Sequence, residues 1–368
     1  MGERFNTRAI VVSRALAGSL ARRSRTAAND RILVAHNLLL GDTLSLTPLL
    51  AKLRANHPAA QITLLASPAA VPLYERHPYG VQALPFRPSD SGTARALLEE
   101  PPFDLAYVVG DNRYSWLAAA MGARHIVAHA GDTSWTKDIF VDERREYEAV
   151  QPTTWGDMVA ALADGLAPPT YARGQWLAPA AEPFDPPRKP YAVLHVGAST
   201  PLKQWLPARW RELAARLESR GLAIAWSAGR GEESVVAECD PEGRHPSYAG
   251  RLSLAQLWHL VAGAALLVAP DTGVAYLGRV VLTPTVTLFG PGCAPLCGNG
   301  EFWGDAPWRA VVIDPFECRD QRLLFRRRIE WVRRCTRSPT ECAEPRCMHA
   351  LSVEAVLEAI ASFRRPEL

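Results

Sequence analysis

Short apolar segments alternate with amphipathic ones along this chain, stop, and then begin again; few folds are compatible with that pattern. Residues 32–35, 62–66, 81–86, 105–109 and 126–128 are apolar runs too short for helices. After Gly41-Asp42, the residues Leu46, Leu49, Leu50 and Leu53 share one helical face. A second helix is expected from near Pro68 to just before His77-Pro78, and a third over 114–121. Strand–helix repetition of this kind implies a parallel sheet with right-handed crossovers. Residues 166–190 interrupt it with Pro168, Pro169, Pro179, Pro183, Pro186, Pro187 and Pro190. That density of proline reads as an interdomain linker. The alternation then resumes with strands at 191–196, 222–226, 266–269 and 285–289. Helices are expected at 207–220, ended by Gly221, within the loop-and-helix stretch 229–238, and at 254–262.

The expected fold class is therefore α/β, with two doubly wound Rossmann-like domains facing a cleft. The first spans 31–165, the linker 166–190 and the second 191–350. A C-terminal helix over 351–368 begins at Ser352 and has a route back to the first domain. A chain of 368 residues suits two such domains. Neither half carries G-x-G-x-x-G after its first strand, which weighs against a dinucleotide oxidoreductase. Net charge is only +3, so a general trap for nucleic acid is not indicated. The basic residues are nevertheless clustered, in residues 1–31 and from Arg326-Arg327-Arg328 through Arg333, Arg334 and Arg337. Residues 1–30 read as a basic extension, flexible or lying on a surface. Two readings of the clusters stand: contact with anionic lipid head groups, or solvated arginine faces. No apolar run is long enough to span a bilayer, and no secretory h-region is present. A cytoplasmic location is expected, with peripheral contact to the inner face of the cytoplasmic membrane as its extension. Of seven cysteines, Cys318, Cys335, Cys342 and Cys347 fall late, without paired C-x-x-C units. Reduced thiols are the expectation, and no metal site is assigned.

The polar residues that invite a functional reading all follow predicted strands. Asp42 in Leu40-Gly41-Asp42-Thr43 is either the N-cap of the next helix or a general base. His195-Val-Gly-Ala-Ser199-Thr200 leaves a strand and is followed by Lys203 and Trp205. Small residues, hydroxyls and a lysine can hold a diphosphate; the alternative is an ordinary turn with a solvated lysine. His195 itself reads as a satisfied strand-end histidine. In Gly229-Arg-Gly-Glu232-Glu233 an acid can accept ribose hydroxyls, or simply favour a helix first turn. Asp271-Thr272-Gly273 follows a strand that stops at Pro270. Backbone N–H groups at the helix start suit an anion, whereas Asp271 suits a sugar or a cation. Phe289-Gly-Pro-Gly292 is a tight turn after the next strand.

Taken together, these loops resemble the heptosyltransferases of glycosyltransferase family 9, over roughly residues 31–360. The resemblance rests on residues 40–50 with Leu53-Arg54 and Pro58, on His195 through Trp205, and on Gly229 through Glu233. It continues through 249–254, Asp271-Thr-Gly273 and residues 288–291. It implies the two-domain GT-B fold and inverting, metal-independent transfer of a heptose or related sugar. The implied donor is ADP-heptose, and the implied acceptor is a lipid-anchored glycan such as the lipopolysaccharide core. It implies no cofactor and no nucleic-acid partner. By the same resemblance Asp42 is the base. Ser199, Thr200, Lys203, Thr272 and Gly273 hold the donor diphosphate, and Glu232, or its neighbour Glu233, binds the ribose. Asp271 and Tyr276 contact the sugar side of the donor.

The chain departs from the family pattern at several points. Tyr276 replaces the usual histidine of Asp-Thr-Gly-x-x-His, and Val196 stands where proline is common after His195. The stretch 151–162 resembles the family's interdomain helix without its leading histidine. The Arg-rich residues 1–29 are additional. Two alternatives stay open: a catalytically weakened sugar-binding paralogue, and another GT-B enzyme such as a sugar-nucleotide epimerase.

Overall fold

The computed structural model describes residues 2–19, 30–147 and 151–363. The chain divides into two compact units. The first comprises residues 1–170 with Leu323–Glu330, and the second comprises Tyr171–Arg322 with Trp331–Leu368.

Six strands build the sheet of the first unit: β1 (Arg31–Ala35), β2 (Gln61–Ala66), β3 (Val81–Pro85), β4 (Leu105–Val108), β5 (His125–His129) and β6 (Glu143–Arg145). Their order is β3-β2-β1-β4-β5-β6, and every pairing is parallel. The direction of strand succession reverses between β1 and β4. In such sheets the crevice outside the strand carboxyl ends at that reversal is where ligands bind. The first four strands and β5 were legible as apolar runs. β6 was not, because Glu143, Arg144 and Arg145 are charged residues on a sheet edge, where such residues are well placed. The helix expected from Pro68 is instead a single 3₁₀ turn, Val71–Tyr74. Pro68, Pro72 and Pro78 each lack the N–H that a longer helix would need.

Residues 2–19 are not a loose arm. They form a helix, Gly2–Ser19, that packs on the helices Ser91–Leu98 and Ser115–Ala120. Thr7, Val11 and Ala15, spaced four apart, are buried beneath it, and Val11 and Ala15 join the core formed by β1, β4 and β5. The stripe is narrow and made of small residues, so its amphipathic signal is weak in the sequence. The rest of the basic extension, residues 20–29, lies outside the described residues.

The second unit holds β7 (Tyr191–His195), β8 (Ala223–Ser227), β9 (Leu266–Pro270), β10 (Thr285–Phe289) and β11 (Trp308–Val312). They are ordered β11-β10-β9-β7-β8, again all parallel. Here the reversal falls between β7 and β9, whose registered partners include Leu194 and Val268. The helix Pro207–Glu218 buries Trp210, Leu213, Ala214 and Leu217, and Leu254–Ala262 starts with a Ser253/Gln256 capping box. The final helix, Val353–Ala361, is capped by Ser352 and clusters with the second unit. It packs on β10, β11 and the helix Pro207–Glu218, with Val353, Val356, Leu357 and Ile360 in that core.

The proline-rich stretch also differs from a free linker. Residues 171–190 cluster with the second unit. Tyr171 donates to the Val280 carbonyl (2.6 Å) and Tyr248 to the Asp185 carbonyl (2.7 Å). The His259 ring lies 2.8 Å from the Pro179 carbonyl oxygen. Proline-rich backbone has few donors but keeps its carbonyls, and Tyr248 and His259 engage two of them while Tyr171 reaches out to Val280.

A second departure concerns the late arginines. Residues Leu323–Glu330 carry a small hairpin, β12 (Leu323–Leu324) against β13 (Arg327–Arg328), that belongs to the first unit. Arg327 is 3% exposed. Its guanidinium donates to the carbonyls of Ala130 (2.6 Å), Gly110 (2.7 Å), His129 (2.9 Å) and Phe325 (3.1 Å), and to Asn112 Oδ1 (2.7 Å). The Gly110, His129 and Ala130 carbonyls lie at the carboxyl ends of β4 and β5, beyond most of the ladder, and Phe325 lies in the hairpin's own turn. Arg327 is thus saturated and cannot serve an anionic surface, while Arg328 beside it is exposed and pairs with Glu330. Arg327→Ala strands several buried acceptors, so urea titration is expected to show a loss of about 3–5 kcal/mol. Arg328→Ala should change stability by less than about 0.5 kcal/mol. Equal effects of the two substitutions would show that the buried donors do not hold the hairpin.

Candidate active site

In the second unit, the loops after β7 and β9 meet through one pair of charges, and the loop after β8 is tied to the β7 loop. After β7 the chain runs through Gly197, Ala198, the exposed Ser199 and Thr200 into a 3₁₀ turn, Pro201–Lys203. Thr200 accepts from the Leu202 N–H and so starts that turn. Trp205 locks the far side: it is 2% exposed, donates to the Leu351 carbonyl (3.0 Å) and meets Trp210 edge-on. With the turn held, Lys203 Nζ lies 2.9 Å from Asp271 Oδ2 and 2.8 Å from the Asp271 carbonyl oxygen. Lys203 comes from the end of β7 and Asp271 from the end of β9. The pair therefore bridges the two strand ends at the reversal of the sheet.

Asp271 is gripped from a second direction. Cys297 donates to its other oxygen, Oδ1, at 3.7 Å. Burial first, and the Asp271 charge second, hold the Cys297 thiol well above its usual range, so it stays a neutral donor. Gly292, in the turn after β10, lies against the same carboxylate; a Cβ there would stand 2.5 Å from Asp271 Oδ2. Neither Cys297 nor Gly292 had been singled out for this role. The Phe289-Gly-Pro-Gly292 turn was visible, but what it accommodates was not.

Thr272 occupies the N-cap position of the helix Gly273–Val280 without making a side-chain cap bond. Its hydroxyl is buried and has no partner among the described residues. The N–H groups that open any helix lack intrahelical acceptors. An unpaired hydroxyl beside such donors, next to Lys203 and Asp271, is a polar environment able to receive phosphate oxygens and a sugar. Tyr276, one turn on, is 9% exposed; it hydrogen-bonds Cys297, and the Arg279 guanidinium lies 5.3 Å from its ring. Arg279 is itself 3% exposed and donates to the Gly298 and Cys297 carbonyls. Tyr276 is thus packed into the wall behind Asp271.

Glu232 joins the loops after β7 and β8. One carboxylate oxygen accepts from Ala198 N–H (2.9 Å), the other from Gly229 N–H (2.7 Å). A side chain at Gly197 would strike that carboxylate, so the close approach requires glycine. A carboxylate has about four acceptor positions, so Glu232 can still receive ribose hydroxyls. Glu233 instead accepts from Gly231 N–H (3.0 Å) within its own turn. Of the two acids, Glu232 is the one tied to the β7 loop.

The first unit carries the remaining candidate. Asp42 lies in the first turn of the short helix Leu40–Leu44, half-buried. It is not the N-cap: that position is Leu39, which makes no side-chain cap bond. The helix follows β1, on one side of the β1/β4 reversal. His36, between β1 and that helix, had no part in the sequence reading. It is 1% exposed; its Nδ1 accepts from Leu38 N–H (3.1 Å), and its Nε2 has no partner among the described residues. Burial pushes its pKa down to about 3. Its only sequence signal is its place directly after the strand.

His195 is a structural residue. It is buried, and its Nδ1 lies 3.1 Å from Ser227 Oγ. Burial lowers its pKa from 6.5 to about 4, so it stays neutral when folded and takes up a proton more readily when unfolded. Between pH 6.5 and about 4 the unfolded chain therefore binds more protons, and stability rises with pH. The contribution is complete above 6.5 and is lost as pH falls toward 4. Urea titrations from pH 7.5 to 5 should show a flatter dependence for His195→Gln, the full term being about 3 kcal/mol. An unchanged slope would show that His195 does not titrate this way.

Comparison with known proteins places these loops in context. Residues 94–295 match the model of Glycosyltransferase family 9 (heptosyltransferase). A stretch of 106 residues is 38% identical to lipopolysaccharide heptosyltransferase 1 of Pseudomonas aeruginosa, covering 28% of this chain and 30% of that protein. A stretch of 111 residues is 34% identical to the Salmonella typhimurium protein of the same name, covering 30% of this chain and 35% of that protein. The matches thus span about a third of these relatives' length. A family 9 glycosyltransferase from Veillonella parvula superposes with a TM-score of 0.69 at 17% identity, over 92% of this chain and 98% of that one. Escherichia coli ADP-heptose heptosyltransferase II gives 0.64 at 17% identity, over 90% and 98%. At such identities the likeness is one of fold: two Rossmann-like units, as in GT-B proteins.

Proposed function

The chain belongs to glycosyltransferase family 9, the heptosyltransferase family, and from that premise we propose that it moves a heptosyl unit from ADP-heptose to a hydroxyl of a lipopolysaccharide-core glycan. The observation that carries this reading is the Lys203–Asp271 pair at the ends of β7 and β9, beside the unpartnered Thr272 hydroxyl. The solved structure of an Escherichia coli heptosyltransferase with ADP-2-deoxy-2-fluoro heptose, with a TM-score of 0.61 to this chain, supports the choice of donor. The family match favours transfer over the binding-only and epimerase alternatives.

In this reading the reaction inverts the anomeric carbon. The Asp42 carboxylate takes the proton of the attacking hydroxyl, and the bond to the diphosphate breaks on the opposite face. Negative charge then grows on the departing ADP. Lys203, Ser199, Thr200, Thr272 and the Gly273 N–H meet it, so the chain supplies without a metal the charge that the leaving group requires. Asp271 holds Lys203 before the donor arrives and faces the sugar once the diphosphate draws the ammonium. Glu232 takes the ribose. Tyr276 supports this wall through Cys297, and the sugar contact assigned to it passes through Asp271. An acceptor anchored in lipid also gives a use to the exposed Arg4, Phe5, Arg8 and Arg14 on the first helix, as a contact with an anionic membrane surface.

Transfer is measured as ADP release and as acceptor mass gain, using ADP-heptose and a heptose-deficient core acceptor. Asp42→Asn should lower the transfer rate by about 10²- to 10⁴-fold, with donor affinity little changed. Lys203→Ala should weaken ADP-heptose binding by about tenfold or more, since it removes a charge-assisted contact. Full turnover by Asp42→Asn would sink the base assignment, and unchanged donor affinity in Lys203→Ala would sink the phosphate assignment.

A further inference from the structure

The four late cysteines, well separated in sequence, meet in the second unit. Cys318, Cys335, Cys342 and Cys347 all line one cavity of about 270 Å³, and all four are free thiols. The cavity lies where the chain departs to supply Leu323–Glu330 to the first unit and then returns. At this neck Gln321 and Arg334 exchange backbone hydrogen bonds (3.0 and 3.1 Å) as an antiparallel bridge. Arg337 tightens it: one nitrogen donates to the Cys318 carbonyl (2.6 Å) and to the Cys335 sulfur (3.5 Å), and another pairs with Asp320 (2.9 Å). The Cys335 N–H is anchored on the Pro291 carbonyl (2.9 Å). Across the neck the Cys318 thiol is held above its usual range, by burial first and by the neighbouring Cys335 second. The other two thiols are engaged differently. Cys342 donates to the Glu344 carbonyl (3.5 Å), and Cys347 is 4% exposed beside Gly290, its thiol pushed up to about 11 by burial.

We propose that Cys318 and Cys335 are a thiol pair that closes to an intrachain disulfide across this neck, with a low-molecular-weight disulfide as oxidant. The Cys335 sulfur, with the Arg337 cation against it, attacks one sulfur of the oxidant after losing its proton. One thiolate leaves, and a mixed disulfide forms on Cys335. The Cys318 sulfur then attacks the Cys335 sulfur, loses its own proton and expels the second thiolate. Two cysteine thiols are oxidised and one small disulfide is reduced to two thiols, which carry the two released protons. The product fixes covalently the base of the segment that delivers Arg327. This inference is independent of the proposed transferase activity.

Trypsin places each of the four cysteines on a separate peptide, because arginines fall between them. The whole protein is incubated with oxidised glutathione, alkylated, digested and mapped by mass spectrometry with and without reductant. The expected product is a linked pair carrying Cys318 and Cys335, two hydrogens lighter than the separate peptides. It should be lost in Cys318→Ser and in Cys335→Ser and kept in Cys342→Ser. Because the native chain alone yields the map, poor folding of a variant does not spoil the test. A dominant link through Cys342 or Cys347 would overturn the proposal, as would glutathione adducts that never resolve. It would also be overturned if the purified protein carried thiolate-bound zinc or iron, so that the four cysteines resisted alkylation until a chelator was added.

Discussion

Every strand in both large sheets runs parallel to its neighbours, and this constraint decides where polar chemistry can sit. Parallel sheets are covered on both faces, so their strands are apolar and nearly featureless. In β7, β9 and β10 every residue is buried. Polar groups are confined to the loops at the strand ends, and all the carboxyl ends of one sheet emerge on the same side. The reversal in strand succession opens a crevice there, between β1 and β4 in one unit and between β7 and β9 in the other. Asp42 follows β1. Lys203 and Asp271 follow β7 and β9. Polar side chains gather at these positions because the sheet leaves them little other room.

The two units handle buried charge in different ways. Lys203 and Asp271 are only partly withdrawn from water, with side-chain exposures of 23% and 14%. Such a pair gains little over solvated ions, because desolvation offsets much of the attraction. What the pair does provide is a lysine already held in place, able to exchange one anionic partner for another without a large change in solvation. Arg327 is withdrawn further and has no carboxylate among its hydrogen-bond partners in the described residues. Carbonyl dipoles at the ends of β4 and β5, with Asn112, carry its hydrogen bonds. Asn112 is oriented in turn by donating to the His129 carbonyl (2.9 Å) and to Asp138 (2.6 Å). One arginine thereby satisfies acceptors that the ends of these strands would otherwise leave for water.

Much of this was legible in the order of residues. Ile32 through Ala35 and Leu266 through Ala269 read as strands because β-branched and apolar runs of that length have few other uses. Ser352 read as a helix start because a hydroxyl can satisfy open N–H groups. The loops that hold Lys203, Glu232 and Asp271 were legible as polar loops after strands, while their reading as a nucleotide-sugar site came from the family resemblance. What failed to read has physical causes. β6 consists of charged residues, and Thr7, Val11 and Ala15 form too thin a stripe to mark a helix. Glu232 was visible as an acid near a helix start. Its bridging of Ala198 and Gly229 depends on residues more than thirty positions apart.

The sequence by itself determined the alternation of strand and helix, the break at the prolines and the identity of the polar residues at strand ends. Those properties are local: they follow from side-chain shape, from hydrophobic spacing and from missing N–H groups. Only the tertiary structure decided that Arg327 closes the first unit's sheet although it lies far along the chain. The same is true of Cys297 supporting Asp271, and of Cys318 meeting Cys335. Those outcomes depend on which distant backbone oxygens and side chains a buried donor finds within reach, and no local pattern encodes that distance.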